Sequence, residues 1–414
     1  MRTDPKQKWR ESVFLENAIY FFLLAAVFLL PLHEKSSVLL VEAAVLLALS
    51  DNALSGKWKM RTPLAFWLFA AFILWAGYTL QNSPDFAASL YNYRILMPQY
   101  FFLYWLVVSY VKTPRQLYAM TAVFLLSAFV VACYGIYQYF YVDMPLPPEW
   151  VDQTRFANIK TRVFSTLHNP NILGAFLVSA FALTFGFFIA KTDIIYRAAS
   201  FILLAAFSLC MIFTFSRAAW LCSLLIVLLG CIFYNRKLLL FIVPAVFAAA
   251  FYERALLMER FLSAFEGTDS SSALRMALWE STRVMIERHP FSGIGWGAYR
   301  FVYPEYDFFI NDSSVIIYHA HNIFLHYAAE LGLTGLAIFL LFFLCTLYYA
   351  LKSTLKIHDK NMQALARGLC GVFIAVLLGG LTDHTLFSSQ MMSVFLVLSG
   401  LSYCVYKNDN FFRQ

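Results

Sequence analysis

Hydrophobic residues fall along this chain in long blocks, and polar residues are confined mainly to the connections between them. An α-helix needs about 20 apolar residues to cross roughly 30 Å of hydrocarbon, and a shorter run can do so where the bilayer thins locally. The pattern therefore predicts about twelve transmembrane helices, near residues 14–32, 36–50, 64–80, 95–111, 117–140, 171–190, 198–215, 218–234, 238–252, 332–351, 366–382 and 389–406.

These segments predict an all-α, polytopic integral membrane protein with three parts. Residues 1–252 hold helices 1 to 9, residues 253–322 form a long loop, and residues 323–414 hold helices 10 to 12. Composition agrees, because 61% hydrophobic and 13% charged residues leave too little polar surface for an ordinary soluble protein.

Basic residues predict the orientation, since short cytoplasmic connections carry an excess of Lys and Arg. With the N-terminus in the cytoplasm, every inner connection is basic, both termini are cytoplasmic, and the 253–322 loop is periplasmic. The first apolar segment lacks a small-residue cleavage site and is predicted to be a retained helix. The inner basic residues are Arg2, Lys6, Lys8, Arg10, Lys57, Lys59, Arg61, Lys112, Arg115, Lys191, Arg197, Arg236, Lys237, Lys352, Lys356, Lys360, Arg367, Lys407 and Arg413.

The long loop is patterned rather than a plain linker. Two amphipathic segments are predicted at 253–266 and 272–288, the second capped by Ser271 or Ser272. His289-Pro290 should end that second helix, and a tight turn should follow. The apolar face of the helix consists of Leu274, Ala277, Leu278 and Met285, and the turn contains Gly293, Gly295 and Gly297.

Cysteine positions and net charge exclude two classes of function. All seven cysteines lie within apolar segments, which argues against a disulfide framework or a thiolate metal site in the loop. The net charge of +7 reflects mainly the cytoplasmic bias, so no nucleic-acid partner is inferred. Membrane lipids are the partners that the composition itself implies.

Three arginines on the predicted outer side are candidates for binding an anion. Arg275 has no acid three or four residues away, whereas Arg283 is flanked by Glu280 and Glu287 and is predicted to form a surface ion-pair ladder. Arg217 lies between two apolar helices, where it either contacts lipid phosphate or faces a phosphate-bearing ligand or buried partner. Arg162 has Lys160 beside it and is the third outer cation. Guanidinium groups bind phosphoryl oxygens bidentately, so the three together suit a pyrophosphate.

A histidine-rich stretch precedes the tenth predicted membrane helix. If a helix begins near Asn322, then Asn322, His326 and Glu330 share one face, with His319 and His321 in the extended lead-in. This pattern fits three functions: acid–base catalysis, a helix-cap and interface cluster, or a metal site. No strongly spaced metal-ligand motif occurs, so no metal is predicted.

Three further polar residues lie in apolar surroundings. Glu42 is predicted to pair with an Arg or a Tyr hydroxyl inside the bundle rather than to relay protons. Asp383 and His384 lie at the last outer turn, and the sequence alone does not decide between the site and its rim.

The ordered motifs TRVFSTLHNPNILGAFL, FSRAAWL, ALRMALWESTRVMIERHPFSGIGWGAY and HAHNIFLHYAAELGLTGL resemble the O-antigen ligase and polymerase superfamily, polytopic enzymes of GT-C type. The resemblance spans about Arg162 to Phe343. It implies transfer of a glycan from undecaprenyl pyrophosphate to an acceptor hydroxyl at the periplasmic face of the bacterial inner membrane, without a cofactor. Within the ligase branch the acceptor is the lipid A–core oligosaccharide.

The resemblance also implies roles for individual residues. Arg217 and Arg275 would bind the donor pyrophosphate, with Arg162 added from the residues themselves. His321 would activate the acceptor hydroxyl as the catalytic base. His319, Asn322, His326 and Lys160 would support the site.

One departure from the family bears on the choice of branch. The polymerase branch carries Arg-x₁₀-Gly loop motifs, and the nearest approach, Arg162 to Gly174, has one residue too many. The ligase is therefore favoured over a polymerase of O-antigen or exopolysaccharide, or a protein O-oligosaccharyltransferase. From other classes, a lipid-linked glycan transporter would need broken helices and polar groups near the bilayer centre, and a purely structural membrane partner of a polysaccharide complex stays open.

Overall fold

A computed structural model of the chain describes residues 5–56, 58–143, 147, 150, 159, 161–190, 193–234, 236–238, 270–307 and 316–408. All regular structure in these ranges is helical. The α-helices are α1 Pro5–Leu29, α2 Glu34–Ser55, α3 Leu64–Thr79, α4 Phe86–Tyr110, α5 Pro114–Tyr141, α6 Pro170–Ile189, α7 Ile194–Phe213, α8 Arg217–Tyr234, α9 Ser270–Arg288, α10 Tyr299–Val302, α11 Ile323–Lys356, α12 Lys360–Gly379 and α13 Ser389–Asn408. Short 3₁₀ turns cover Leu80–Asn82, Arg236–Leu238, Tyr303–Tyr306 and Thr385–Phe387.

Ten of these helices are long and apolar enough to cross a membrane, which confirms a polytopic α-helical membrane protein. They correspond to ten of the predicted segments. The segment at 95–111 falls in α4, which is helical but not among the ten; its residues Asn92, Arg94 and Gln99 make it more polar. The predicted helix at 238–252 lies outside the described residues apart from Leu238, as does the amphipathic segment at 253–266.

Helices α6 and α13 are the most enclosed of the ten, with 78% and 83% of their apolar windows buried. α6 packs closely against α12, because glycines meet at their crossing. A Cβ atom on Gly186 would lie 2.5 Å from the Ala364 carbonyl oxygen and 2.7 Å from the Gly368 nitrogen. Small residues of this kind let membrane helices approach backbone to backbone.

Helix α11 is broken at Gly332, whose φ of 70° and ψ of 176° are not helical. The apolar run predicted at 332–351 begins at this break, so the segment before it is a separate, more polar half-helix. The chain around Pro290 to Gly295 fills the gap: Ile294 N and Gly295 N donate to the carbonyls of Ala329 and Glu330, both at 2.9 Å. Backbone groups freed by the break are thereby satisfied.

The described part of the long loop folds onto this half-helix. α9 confirms the second predicted amphipathic segment, but it already includes Ser271 and Ser272, so the prediction that one of them caps it is wrong. The predicted turn follows the helix, and Gly293, Gly295 and Gly297 in it have positive φ. Leu278 and Met285 are fully buried, whereas Leu274 is 39% exposed, so only part of the predicted apolar face is covered. The loop and the half-helix share a small core: Leu278, Met285, Ile294, Ala298, Tyr299, Val302, Tyr303, Tyr306, Ala320 and Ala329.

Candidate active site

Four connections meet at one end of the bundle, here called the site face. They are residues 161–169 before α6, residues 214–216 between α7 and α8, residues 316–322 before α11, and residues 380–388 between α12 and α13. Hydrogen bonds join their polar side chains across long distances in sequence. The site face therefore unites residues that the sequence places in four separate segments.

Its centre is a hydrogen-bonded pair of His321 and Asp383, with 3.0 Å between His321 Nδ1 and Asp383 Oδ1. Asp383 is buried, and its Oδ1 also accepts from the His384 backbone N–H at 2.8 Å. An ionised carboxylate only accepts hydrogen bonds, so the shared proton belongs to His321 Nδ1. In neutral His321 the other ring nitrogen, Nε2, then carries a lone pair that can take up a proton.

A second hydrogen-bond chain holds the Asp383 carboxylate in place. Asn171 Nδ2 donates to Asp383 Oδ2 at 3.1 Å, and Asn171 Oδ1 accepts from Arg162 Nη2 at 2.8 Å. The same guanidinium donates to the carbonyls of Thr214 at 2.7 Å and Trp150 at 2.6 Å. Buried Arg162 thus fixes the geometry of Asn171, and through it that of Asp383.

The surroundings of Asp383 and His319 shift the pKa values of both groups and so determine their protonation states. Burial alone would raise the pKa of the Asp383 carboxyl, but the His321 imidazole, with His319 and Arg275 nearby, holds that pKa well below its usual range. Burial lowers the pKa of His319 to about 3, an effect that His321 strengthens. Asp383 is therefore anionic and His319 neutral at physiological pH.

The rest of the histidine-rich stretch has a structural task. Asn322 caps α11, its Oδ1 accepting from Phe324 N at 2.9 Å and Leu325 N at 3.0 Å. His326 and Glu330 are buried one turn apart, with 3.5 Å between Nε2 and Oε2. Glu330 also accepts from Gly297 N and Tyr299 N, at 2.9 and 3.1 Å. The predicted shared face of Asn322, His326 and Glu330 is confirmed, and it anchors the glycine-rich turn.

Backbone strain is concentrated at the site face. Among the described residues, the non-glycine positions with positive φ are Ser165, His168, Phe215 and His321, at 51°, 59°, 50° and 48°. L-residues adopt this region at a cost, and such strain is characteristic of functional sites. The left-handed backbone of His321 is part of what directs its ring toward Asp383.

A pocket of about 30 Å³ lies beside this polar centre and is lined by residues of α6, α8 and α12. Its polar end is formed by Asn171, Ser216, Asp383 and Thr385. The remaining lining residues are mostly small or apolar: Ala175, Val178, Ser179, Ala218, Ala219, Cys222, Ala375, Val376, Gly379 and Met391. The polar end of the pocket thus adjoins an apolar region between the helices.

The other predicted site residues differ in their placement. Arg217 is the buried first residue of α8, next to the pocket residue Ser216. Arg275 on α9 is near enough for its charge to act on His319 and Asp383. Lys160 lies outside the described residues.

The structure also tests the predictions made for Arg283 and Glu42. Arg283 pairs with Glu280 at 2.8 Å and with Glu287, which confirms the surface ladder. Glu42 is exposed on α2, so the prediction that it pairs inside the bundle is wrong. An intramembrane carboxylate can face outward at a position that the sequence does not distinguish from an inward one.

His319, His321 and Asp383 also bear on metal binding. Each offers one ligand atom, and the three atoms lie within 4.8 Å of one another. This grouping is not evident from the sequence, because Asp383 lies 62 residues after His321.

Asp383 is the site residue whose role the sequence left undecided. The signal was present, since Asp383-His384 is a polar pair between two apolar runs, but its partner is fixed only by the fold. Asn171 lies in the first turn of α6, and its bridging role likewise depends on the fold.

Residues 199–340 match the family described as O-antigen ligase. This segment is about a third of the chain and includes Arg217, Arg275 and His321. A search of curated proteins gives no match.

Proposed function

We propose, from the match of residues 199–340 to the O-antigen ligase family, that the chain transfers a glycan from undecaprenyl pyrophosphate to a hydroxyl of lipid A–core oligosaccharide. The reaction would take place at the periplasmic face of the inner membrane, with both termini cytoplasmic. The observation that carries the proposal is the His321–Asp383 pair, whose carboxylate lines a small pocket between apolar helices.

The proposed reaction is a single displacement at the anomeric carbon of the donor sugar. The acceptor oxygen forms a bond to that carbon, while the bond from the carbon to the pyrophosphate oxygen breaks and its electron pair leaves with the pyrophosphate. His321 Nε2 takes the proton of the acceptor hydroxyl, and Asp383 stabilises the imidazolium that results. Attack opposite the leaving group inverts the configuration of the anomeric carbon.

Donor binding is assigned to the arginines. Arg217 and Arg275 would hold the pyrophosphate, because guanidinium forks match phosphoryl oxygens and keep their charge. Arg162 was predicted to join them, but its hydrogen bonds to Thr214, Trp150 and Asn171 favour a positioning role. Lys160 would add positive charge nearby. The polyprenyl tail would lie against the apolar surfaces of the membrane helices.

No metal or cofactor is assigned to the transfer itself. Pyrophosphate is a good leaving group, so the enzyme must supply an aligned acceptor, a base and positive charge. His321 and the arginines provide the last two. A ligase rather than a polymerase is favoured by the one large loop ahead of α11. Its amphipathic helix α9, which packs against the half-helix of α11, would act as a lid over a bulky lipid-anchored acceptor.

The test is reconstitution of the purified protein with lipid-linked glycan and lipid A–core acceptor. Formation of glycosylated lipid A supports the proposal. In the native host, deletion of the protein should remove every ladder band of surface polysaccharide and accumulate long lipid-linked chains. A core carrying one repeat unit would instead identify a polymerase, and an unchanged ladder with loss of protein glycosylation would identify a protein O-oligosaccharyltransferase.

One observation favours a second candidate from another class. A broken helix is expected of a lipid-linked glycan transporter, and α11 is broken at Gly332. The backbone groups at this break, however, bond to the loop at Pro290, Ile294 and Gly295 rather than coordinating a ligand. The transporter would be supported if the protein speeds the movement of lipid-linked glycan across vesicle membranes but forms no product in the transfer assay.

A further inference from the structure

We propose that His319, His321 and Asp383 form a binding site for a single Zn²⁺ ion, and that Zn²⁺ bound there inhibits the enzyme. The binding site stands on the geometry of these three residues. The inhibition rests on the proposed function, in which His321 is the base.

The three residues come from two connections that the fold brings together. His319 and His321 alternate along an extended segment, and their rings lie 4.3 Å apart between centroids. The ligand atoms of the three residues are all within 4.8 Å of one another. Ligands of a tetrahedral Zn²⁺ ion are separated by roughly 3.4 Å, given Zn–N and Zn–O distances of about 2.1 Å. A small rotation of the imidazoles closes the difference.

The chemical types of the three ligands determine which metal is favoured. Two imidazoles with one carboxylate are typical ligands of Zn²⁺, whereas Mg²⁺ and Ca²⁺ prefer sets made of oxygen. Three protein ligands also leave a fourth position for water. The second oxygen of the Asp383 carboxylate, Oδ2, accepts a hydrogen bond from Asn171 Nδ2. Hydrogen bonds of this kind, made to a ligand by residues that do not bind the metal, orient metal ligands.

Inhibition follows from the atoms involved. Zn²⁺ would replace the proton between His321 Nδ1 and Asp383 Oδ1, which are 3.0 Å apart. The displaced proton would move to Nε2 of the same ring, which then has no lone pair to accept the proton of the acceptor hydroxyl. Zn²⁺ therefore prevents His321 from acting as a base and leaves the arginines unchanged.

The binding experiment uses the full-length protein, purified in detergent and freed of metal. Zn²⁺ is titrated in competition with a chromophoric chelator, and Co²⁺ is added separately to follow its visible absorption. We expect one ion per chain and an intense Co²⁺ spectrum of tetrahedral type. His319→Ala and Asp383→Asn should each weaken binding by about tenfold or more. His289→Ala removes an exposed histidine at the end of α9 and should bind as the wild type does.

A wild-type protein without a saturable site, or ligand variants that bind Zn²⁺ as tightly as His289→Ala, would overturn the proposal. Thermal unfolding midpoints identify a variant that has lost its fold. The Co²⁺ spectrum is recorded on the wild type, so it does not depend on whether any variant folds. A spectrum of octahedral type would also contradict the proposed site.

A transfer assay then tests the consequence. Zn²⁺ should abolish glycan transfer over the same concentration range in which it fills the site, and EDTA should restore the activity. Full occupancy with undiminished transfer would remove the inhibitory role. A protein that binds Zn²⁺ at this site but transfers no glycan would count against the proposed function alone.

Discussion

Two clusters of charged and polar side chains lie at opposite ends of the helical bundle. At the end away from the site face, Lys59 Nζ lies 2.8 Å from Glu16 and 2.9 Å from Asp51, and Lys112 Nζ lies 2.7 Å from Glu16. At the site face, the central pair is an imidazole and a carboxylate, His321 and Asp383. Both clusters join segments that are far apart in the sequence.

The two clusters differ in chemistry and in backbone geometry. Lys59, Lys112, Glu16 and Asp51 form ammonium–carboxylate pairs, which tie α1, α2 and the start of α5 together. The pair at the site face instead contains an imidazole, the side chain most often used for proton transfer in catalysis, and the backbone of His321 is strained. A polar cluster at a membrane boundary is thus better judged by its proton chemistry and strain than by its charge.

The largest predicted effect is that of His321→Ala. Glycan transfer should fall by about 10²–10⁴-fold, because a positioned general base contributes a factor of this size. Donor binding, measured with radiolabelled lipid-linked glycan, should stay near that of the wild type, since the base acts on the acceptor. His326→Ala should have a smaller effect, because His326 pairs with Glu330 within the fold. Transfer near the wild-type rate in His321→Ala would remove the general-base role.

Asp383→Asn should lower transfer by about 10²–10⁴-fold, because the amide cannot hold the required tautomer of His321 or stabilise its charged form. The pKa of Asp383 is held well below its usual value, so its carboxylate protonates only in strong acid. Between about pH 5 and pH 8, above the ordinary aspartate pKa of about 3.9, the wild-type carboxylate stays ionised, so Asp383→Asn should be slower than the wild type throughout this range.

Turnover of Asp383→Asn equal to that of the wild type at any pH in that range would contradict the role of the carboxylate. His319→Gln serves as the control for pH dependence. Since the pKa of His319 is about 3, the imidazole is neutral throughout this range, and its replacement should leave the shape of the pH profile unchanged.

Arg217→Ala and Arg275→Ala should each reduce transfer by about 10²–10³-fold, as loss of a preorganised charge that stabilises a leaving group does. Arg→Lys should rescue poorly, because a point charge cannot reproduce a bidentate fork. Arg283→Ala is the matched control on α9, and its effect should be mild because Glu280 and Glu287 already pair with it. Equal losses in all three variants would indicate a defect in loop folding.

The fold was largely predictable from the sequence, because each membrane-spanning helix requires a long run of apolar residues. Arg283 with its flanking acids, and the cap at Asn322, were predictable for a similar reason: both depend on neighbours within a few residues. The break at Gly332 was not, since it depends on the turn at Pro290 to Gly295 that fills it.

Within the candidate site, the predictable part was the set of residue types and not their partners. His321 and the arginines stood out as polar residues beside apolar helices. Asp383 gained a role only through its 3.0 Å contact with His321, and Arg162 gained a different one through Asn171. Such pairings come from long-range packing, which periodicity along the chain does not encode.

The cluster away from the site face supplies a prediction about stability alone. Lys59→Met should lower the free energy of unfolding by about 3 kcal/mol, because it leaves the fully buried Asp51 carboxylate without its ammonium. The thermal midpoint should fall, whereas transfer per folded molecule should be preserved. A Lys59→Met protein of normal stability but lost activity would reverse the roles of the two clusters.

The smallest predicted effect is that of metal removal, and it separates two roles that His319, His321 and Asp383 might combine. If the arginines neutralise the pyrophosphate and His321 acts as a free base, EDTA should not lower glycan transfer. Protein purified with traces of Zn²⁺ should even gain activity on chelation, because the ion would occupy His321 Nδ1. Transfer is measured before and after EDTA, and again after Zn²⁺ or Mg²⁺ is restored in excess of the chelator. Activity that disappears with EDTA and returns with a divalent ion would show that the metal takes part in the reaction, and would exclude both the metal-independent mechanism and the inhibitory site.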